Sequence, residues 1–189
     1  MDKIKVKNIF AAVFEKSMLD PLLKVIDSKS TRFWGTEGTV KYLKDKGFSA
    51  KSVVSGFDFD GRVKSLDREN FVRILADRSR KSHLAELKKL NVDPFDLIIV
   101  DLYAPQKEGF PESMDIGGQA LIRAAIKNYK SVALAFDADS LAKVVNELVS
   151  NNGSITLQFR KKQAIAASKF IAQRCRLEAD FLRDGDNFF

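Results

Sequence analysis

Four short segments hold the residues of this chain best suited to chemistry. They are Gly61-Arg62-Val63-Lys64-Ser65-Leu66, Asp101-Leu102-Tyr103, Met114-Asp115-Ile116-Gly117-Gly118 and Ile122-Arg123-Ala124-Ala125-Ile126-Lys127-Asn128. Together they offer two lysines, two arginines, one tyrosine and two aspartates, with no histidine or cysteine. Such a set suits holding a phosphate and moving a proton. In extended backbone Arg62 and Lys64 project to one side, where they can clamp a single anion. Asp101 and Tyr103 share a side at the end of a buried apolar run. A tyrosine there can relay a proton, and a lysine cation beside it lowers its pKa. Asp115 opens a helical segment on which Arg123 and Lys127, four apart, share a face. A lysine in a dry pocket becomes usable as an acid or base near neutrality. Each feature also has a plain alternative: a solvated charged loop, a half-buried tyrosine, a helix cap for Asp115 and a surface lysine for Lys127.

A second anion site is suggested by Gly35-Thr36-Glu37-Gly38-Thr39, which lies between a strand signal and a helix signal. In α/β sheets that turn sits at the carboxyl ends of the strands, where ligands bind. Its glycines let backbone N–H groups approach a phosphate, and the helix dipole favours negative charge. Thr36 and Thr39 add hydroxyls, while Glu37 must point away from any phosphate. Lys16 follows the first strand and reaches the same sheet edge, either as a phosphate point charge or as a surface lysine at a helix start. His83 is the single histidine, and no cluster has metal-ligand spacing. Neither a dinucleotide fingerprint nor a Walker motif occurs, so no cofactor is expected.

The elements that must position these residues follow from apolar runs alternating with helical patterns, which predict a doubly wound, mainly parallel α/β sheet. Val6 to Phe14 reads as a buried strand, followed by a helix capped by Ser17 with Asp20 at the capping-box position and Pro21 in the first turn. Thr31 to Trp34 and Val53-Val54 are short strands flanking a helix over Gly38 to Lys46. Ser55 to Asp67 reads as an ordered loop, and Ser82 to Leu90 as an amphipathic helix with Leu84, Leu87 and Leu90 on its apolar side. Leu97 to Val100 is the clearest central strand. Residues 104 to 117 form a loop, Gly118 to Asn128 a helix, Ser131 to Phe136 a strand, and Asp139 to Ser150 a helix capped by Asp139 or Asp137. Residues 155 to 182 show no strand signal and favour helix. The expected organisation is an α/β nucleotide-binding core over 1–153 and a helical extension of the same domain over 154–189.

At 189 residues the chain can bury a sizeable core. No apolar run approaches the roughly 20 residues needed to cross a bilayer. Lone Cys175 and a charged N-terminus without a signal-peptide core predict a reduced, cytoplasmic protein. The net charge of +7 favours anionic partners.

Taken in order, GRVKSL at 61, DLY at 101, MDIGG at 114 and IRAAIKN at 122 resemble the inosine monophosphate cyclohydrolase domain, from about Ile9 to Leu182. The stretch Arg160 to Phe170 is similar to that family's terminal helices. The resemblance implies a methylglyoxal-synthase-like fold and closure of the second purine ring: the carboxamide nitrogen of a formamidoimidazole carboxamide ribotide attacks the formyl carbon, and water leaves. It implies that Lys64 stabilises the formyl oxygen, that Tyr103 and Lys127 form a proton-transfer pair, and that Asp115 orients the carboxamide or takes its proton. Arg62, Lys16, Thr36, Gly38, Thr39 and Ser65 hold the phosphate end by the same resemblance, with Asp101 and Gly117 lining the substrate site. It further implies a homodimer without cofactor, supplied with substrate by a separate transformylase protein.

The chain departs from the family pattern at several positions. Phe14-Glu15 precede Lys16 where serines are usual, and Glu37 replaces a glycine. Asp67 replaces a histidine, Asp101 an asparagine and Ala104 a proline. Two alternatives stand beside the enzyme: a non-catalytic purine-nucleotide-binding module of the same fold, suggested by Phe14 and Glu37, and an RNA-binding protein, suggested by the charge.

Overall fold

Leu97-Ile98-Ile99-Val100 forms strand β5, and all four side chains are buried. Alternation along a strand sends successive side chains to opposite faces, so Leu97 and Ile99 enter one core and Ile98 and Val100 the other. A computed structural model describes residues 2–54 and 66–185. Within them the strands are β1 (Lys3–Lys5), β2 (Asn8–Ala12), β3 (Arg32–Gly35), β4 (Ser49–Ser52), β5 (Leu97–Val100), β6 (Ala133–Ala135) and β7 (Ser154–Thr156). The helices are α1 (Asp20–Leu23), α2 (Glu37–Asp45), α3 (Arg68–Leu75), α4 (Lys81–Lys89), α5 (Ile116–Lys127), α6 (Ala138–Ser150) and α7 (Leu157–Gly185), with a 3-10 turn over Lys16–Leu19.

The main sheet has five parallel strands in the order β4-β3-β2-β5-β6. The chain runs outward from β2 through β3 to β4, then resumes with β5 on the other side of β2. The carboxyl ends of β2 and β5 therefore flank a topological switch point, where open α/β sheets place their ligands. One face packs Ile9, Ala11, Phe33, Leu97 and Ile99 against Leu22 of α1, Val40 and Leu43 of α2, and Leu141, Val144 and Leu148 of α6. The other packs Phe10, Ile98, Val100 and Leu134 against Ile74 of α3, Leu121, Ile122 and Ala125 of α5, and Ala167 and Ile171 of α7. Gly35 ends β3 directly opposite Ala11. A Cβ there would collide with the Ala11 carbonyl oxygen, so glycine is required for the two strands to pair.

Several sequence expectations are corrected. The first turn after β2 is capped by Glu15, not Ser17: its carboxylate accepts from the Ser17 amide at 3.1 Å and the Ser17 hydroxyl at 2.7 Å. The strand expected at Val53-Val54 is β4, which ends at Ser52. Of the three leucines assigned to the buried side of α4, only Leu87 is buried; Leu84 and Leu90 are exposed. Helix α3 had no counterpart in the sequence reading. Its cap is Asp67, which accepts from the amides of Glu69 at 2.8 Å and Asn70 at 3.4 Å. Ile155 and Thr156, expected to be free of strand, belong to β7, which pairs antiparallel with β1. Asp137, rather than Asp139, caps α6, in a capping box with Ser140. Arg160 starts α7 fully buried because three backbone carbonyls accept from its guanidinium: Tyr129 at 3.0 Å, Ile155 at 2.7 Å and Lys130 at 3.0 Å.

At the amino ends of the strands a buried ion pair ties the layers together. Arg78 Nη2 donates to Asp96 Oδ1 at 2.7 Å and to the Phe95 carbonyl at 2.6 Å. Asp96 Oδ2 accepts from the amides of Lys7 at 2.8 Å and Asn8 at 2.7 Å, which locks β2 to β5. Removing one partner of a buried pair strands the other charge. Arg78→Ala is therefore expected to cost about 3–5 kcal/mol of stability, measured as a lowered urea midpoint.

Candidate active site

The backbone turns sharply away from the sheet after β2 and after β5, and a cavity of about 920 Å³ opens between the two ends. Its walls are Ala12 to Phe14 and Lys16 beyond β2, Thr36 to Gly38 at the start of α2, Val100, Asp101 and Tyr103 beyond β5, and Met114 to Gly118 at the start of α5. Seven of the residues singled out in the sequence line this one hollow: Lys16, Thr36, Gly38, Asp101, Tyr103, Asp115 and Gly117. Arg62, Lys64 and Ser65 lie outside the described residues.

Asp115 is held by α5 itself. It is the N-cap of that helix, and its Oδ1 accepts from the Gly118 amide at 2.7 Å. Burial pushes its carboxyl up from the ordinary aspartate value. The carboxylates of Asp101 and Glu178 add to that rise, against the Gly118 hydrogen bond and the Arg174 cation, which lower it. Tyr103 is 43% exposed and faces the same cavity. Burial, then the Asp115 carboxylate, raises its phenol above the usual value, whereas the sequence reading expected a lysine to lower it. The phenol thus keeps its proton at neutral pH and can act as a donor, while Asp115 is a stronger base than a free aspartate.

Gly118 makes this geometry possible. A Cβ on it would meet both the Leu102 side chain and the Asp115 carboxylate. Gly118→Ala is expected to displace Asp115 and lower kcat for any reaction using that carboxylate, on the order of 10-fold. Steady-state kinetics beside a thermal melt would separate this from loss of fold.

The Asp101 carboxylate is already engaged. It accepts from the Phe14 amide and, at 3.1 Å, from the Glu15 amide. It fills the pair of backbone donors that follow β2, so an incoming anion must use other groups. Those are at the other lip, where α2 opens on Thr36 without a side-chain cap. Lys16 lies over Gly38, with its Cε 3.5 Å from where a Gly38 Cβ would stand. The Lys16 ammonium donates to the Phe14 carbonyl at 2.7 Å. First-turn amides of a helix beside a lysine make a phosphate-sized site. Thr39 is corrected: it is fully buried, and its hydroxyl bonds the backbone of Val13 at 3.3–3.4 Å, bracing the turn from beneath. Phe14 is 71% exposed at the cavity wall.

Within one chain Lys127 is not among the residues that line the cavity. It is exposed on the last turn of α5, roughly 18 Å along the helix from Asp115 at 1.5 Å per residue. Helices of a parallel sheet start at the carboxyl edge and end at the opposite edge, so within one chain Lys127 stands away from the hollow. Three residues without any sequence signal take its place behind the site. Arg174 Nη1 donates to the Tyr103 carbonyl at 3.1 Å, and Gln119 Nε2 donates to the buried Glu178 carboxylate at 2.6 Å.

No family model matches the chain. A bifunctional purine biosynthesis protein PurH of Clostridium botulinum is 34% identical over 171 residues, which is 84% of this chain and 34% of that protein. The PurH of Mesorhizobium japonicum is 34% identical over 179 residues, 88% of this chain and 33% of that protein. The PurH of Ligilactobacillus salivarius is 33% identical over 189 residues, 93% of this chain and 37% of that protein. The chain thus spans about a third of the length of these curated relatives. Among solved structures, ForH superposes with a TM-score of 0.77 at 27% identity, covering 94% of this chain and 98% of that one.

Proposed function

As a relative of the bifunctional purine biosynthesis protein PurH that shares one region of it, the chain, we propose, is an inosine monophosphate cyclohydrolase. The observation that carries this reading is the meeting of Asp115 and Tyr103 in one cavity at the switch point, with the Lys16 and Thr36–Gly38 lip opposite.

The reaction joins two groups of one molecule, so the site has mainly to fix a reactive rotamer, which can supply several kcal/mol of the barrier. The Asp115 carboxylate takes a proton from the carboxamide nitrogen as that nitrogen bonds to the formyl carbon. The formyl oxygen becomes an oxyanion that Lys64 stabilises, worth about 3 kcal/mol for one preorganised donor. Tyr103 gives that oxygen one proton and Asp115 returns the one it took, so the oxygen leaves as water, and the Tyr103 phenolate takes the N–H proton of the former formamide nitrogen as the ring C=N bond forms. The phosphate sits at the start of α2 against Lys16, with Arg62 and Ser65 joining it.

Among the described lining residues, four carboxylates (Glu37, Asp101, Glu112 and Asp115) face one lysine. A phosphorylated substrate therefore depends on the two cations of the GRVK segment for its charge balance. A formyl-transfer activity outside residues 1–189 supplies the substrate, and two copies of the chain form the working unit in the cytoplasm.

Incubation with the formylated ribotide, watched for purine absorbance, tests the reading directly. Turnover is expected. Tight calorimetric binding of inosine monophosphate without turnover would instead make the chain a nucleotide-binding module, the reading that exposed Phe14 in the cavity favours.

A further inference from the structure

The far half of α7 reaches the site from behind, with contacts to the Tyr103 backbone and to the first turn of the helix that Asp115 caps. Arg174 donates to the backbone carbonyl of Tyr103 at 3.1 Å. One turn on, Glu178 is 7% exposed and accepts from Gln119, in the first turn of the helix that Asp115 caps. One turn further, the Phe181 ring packs edge-on against Phe110 in the loop between Tyr103 and Asp115, with centroids 5.7 Å apart. These residues recur at helical spacing on one side of α7. Nothing in the proposed chemistry uses any of them.

We infer that this part of α7 is a positioning element for the reaction: Arg174 and Glu178, of opposite charge, hold the Tyr103 segment and the start of α5 and together set the field at Asp115. The inference rests on the cyclohydrolase reading for its catalytic consequence. The Arg174 cation favours the ionised form of Asp115 and the Glu178 carboxylate disfavours it. Among the described residues, the other charged or titratable groups lining the cavity with Asp115 are Asp101 and Tyr103 from beyond β5, Glu112 from the following loop, Lys16 from beyond β2 and Glu37 at the start of α2. All of these are unchanged in the test.

The two charges give shifts of opposite sign. Arg174→Ala removes the favourable cation, so Asp115 ionises at higher pH, and the acid limb of the kcat profile moves up. The plateau also falls, by about 10-fold, because the Tyr103 carbonyl loses its anchor. Arg174→Lys keeps the charge and holds the acid limb near the parent position. Glu178→Gln keeps an acceptor for Gln119 but removes the negative charge, and the acid limb moves down.

The experiment pairs these pH profiles with a carboxyl carbon NMR titration of Asp115 in each protein, and with thermal melts. Opposite displacements in the alanine and glutamine variants, with the lysine variant holding its limb, establish the positioning role. Displacements of one sign, or none, in a folded protein overturn it. The NMR arm needs no turnover: if the parent closes no ring yet Asp115 shifts in opposite directions, the functional reading fails and the inference about α7 stands.

Discussion

Asp115→Asn is expected to lower kcat for ring closure by about 10²–10⁴-fold, the span of a positioned general base. The fold is expected to survive, because an asparagine side-chain oxygen can still accept the Gly118 amide that now bonds Oδ1 at 2.7 Å, and asparagine caps helices as well as aspartate. What is lost is the capacity to take a proton. In the parent, the raised Asp115 carboxyl places the acid limb of the kcat profile above the ordinary aspartate range. Below that limb the base is protonated and turnover falls. The asparagine variant should lose this limb along with its rate. Single-turnover absorbance measurements across pH, beside a thermal melt, check both statements. Parent-like turnover in a folded Asp115→Asn protein would remove the proposed base.

The sheet and its order of elements were readable because their signals are local and redundant. Leu97 to Val100 is an unbroken apolar run, and α6 begins beside Asp137 and Asp139, two residues of a type that caps helices. Helix α3 was not readable, since its buried positions are Asn70, Arg73 and Ile74. Arg73 packs against the rings of both Trp34 and Phe95, 4.0 and 3.9 Å from their centroids, an environment no apolar period can betray. β7 is three residues long and exists because β1 pairs with it.

At the site, sequence identified loops and caps but not ends of helices. Asp115 and Lys127 belong to one segment, and helical periodicity places Arg123 and Lys127 on a common side. Periodicity carries no information about which end of that side meets the carboxyl edge of the sheet. The parallel sheet decides it, and it sends Lys127 to the far edge. Arg174, Glu178 and Gln119 were missed for a related reason. Their partners lie 71 and 59 residues away, and an arginine and a glutamate four apart on a charged helix look like any solvated face.

Within one chain Tyr103 lines the hollow and Lys127 does not, so Tyr103 is the donor proposed for the departing water. Its phenol is raised by burial first and by the Asp115 carboxylate second. It therefore stays protonated well into alkaline solution, so acid and base coexist in their working forms over a broad interval. The same coupling favours one negative charge between the two residues, since ionising the phenol beside the carboxylate is opposed. Tyr103→Phe keeps the ring and removes only the donor. The expected result is a fall in kcat of about 10²–10⁴-fold with KM little changed, because the substrate phosphate is held at the opposite lip. Stability should stay within roughly 0.5 kcal/mol, as for other surface substitutions, since the side chain is 43% exposed. The parent's rate should hold into alkaline solution and decline only above the usual phenol range, and that decline should vanish in the phenylalanine variant. A Tyr103→Phe protein that keeps full turnover would pass the donor role to solvent and leave Asp115 as the only proton-transfer residue among those described.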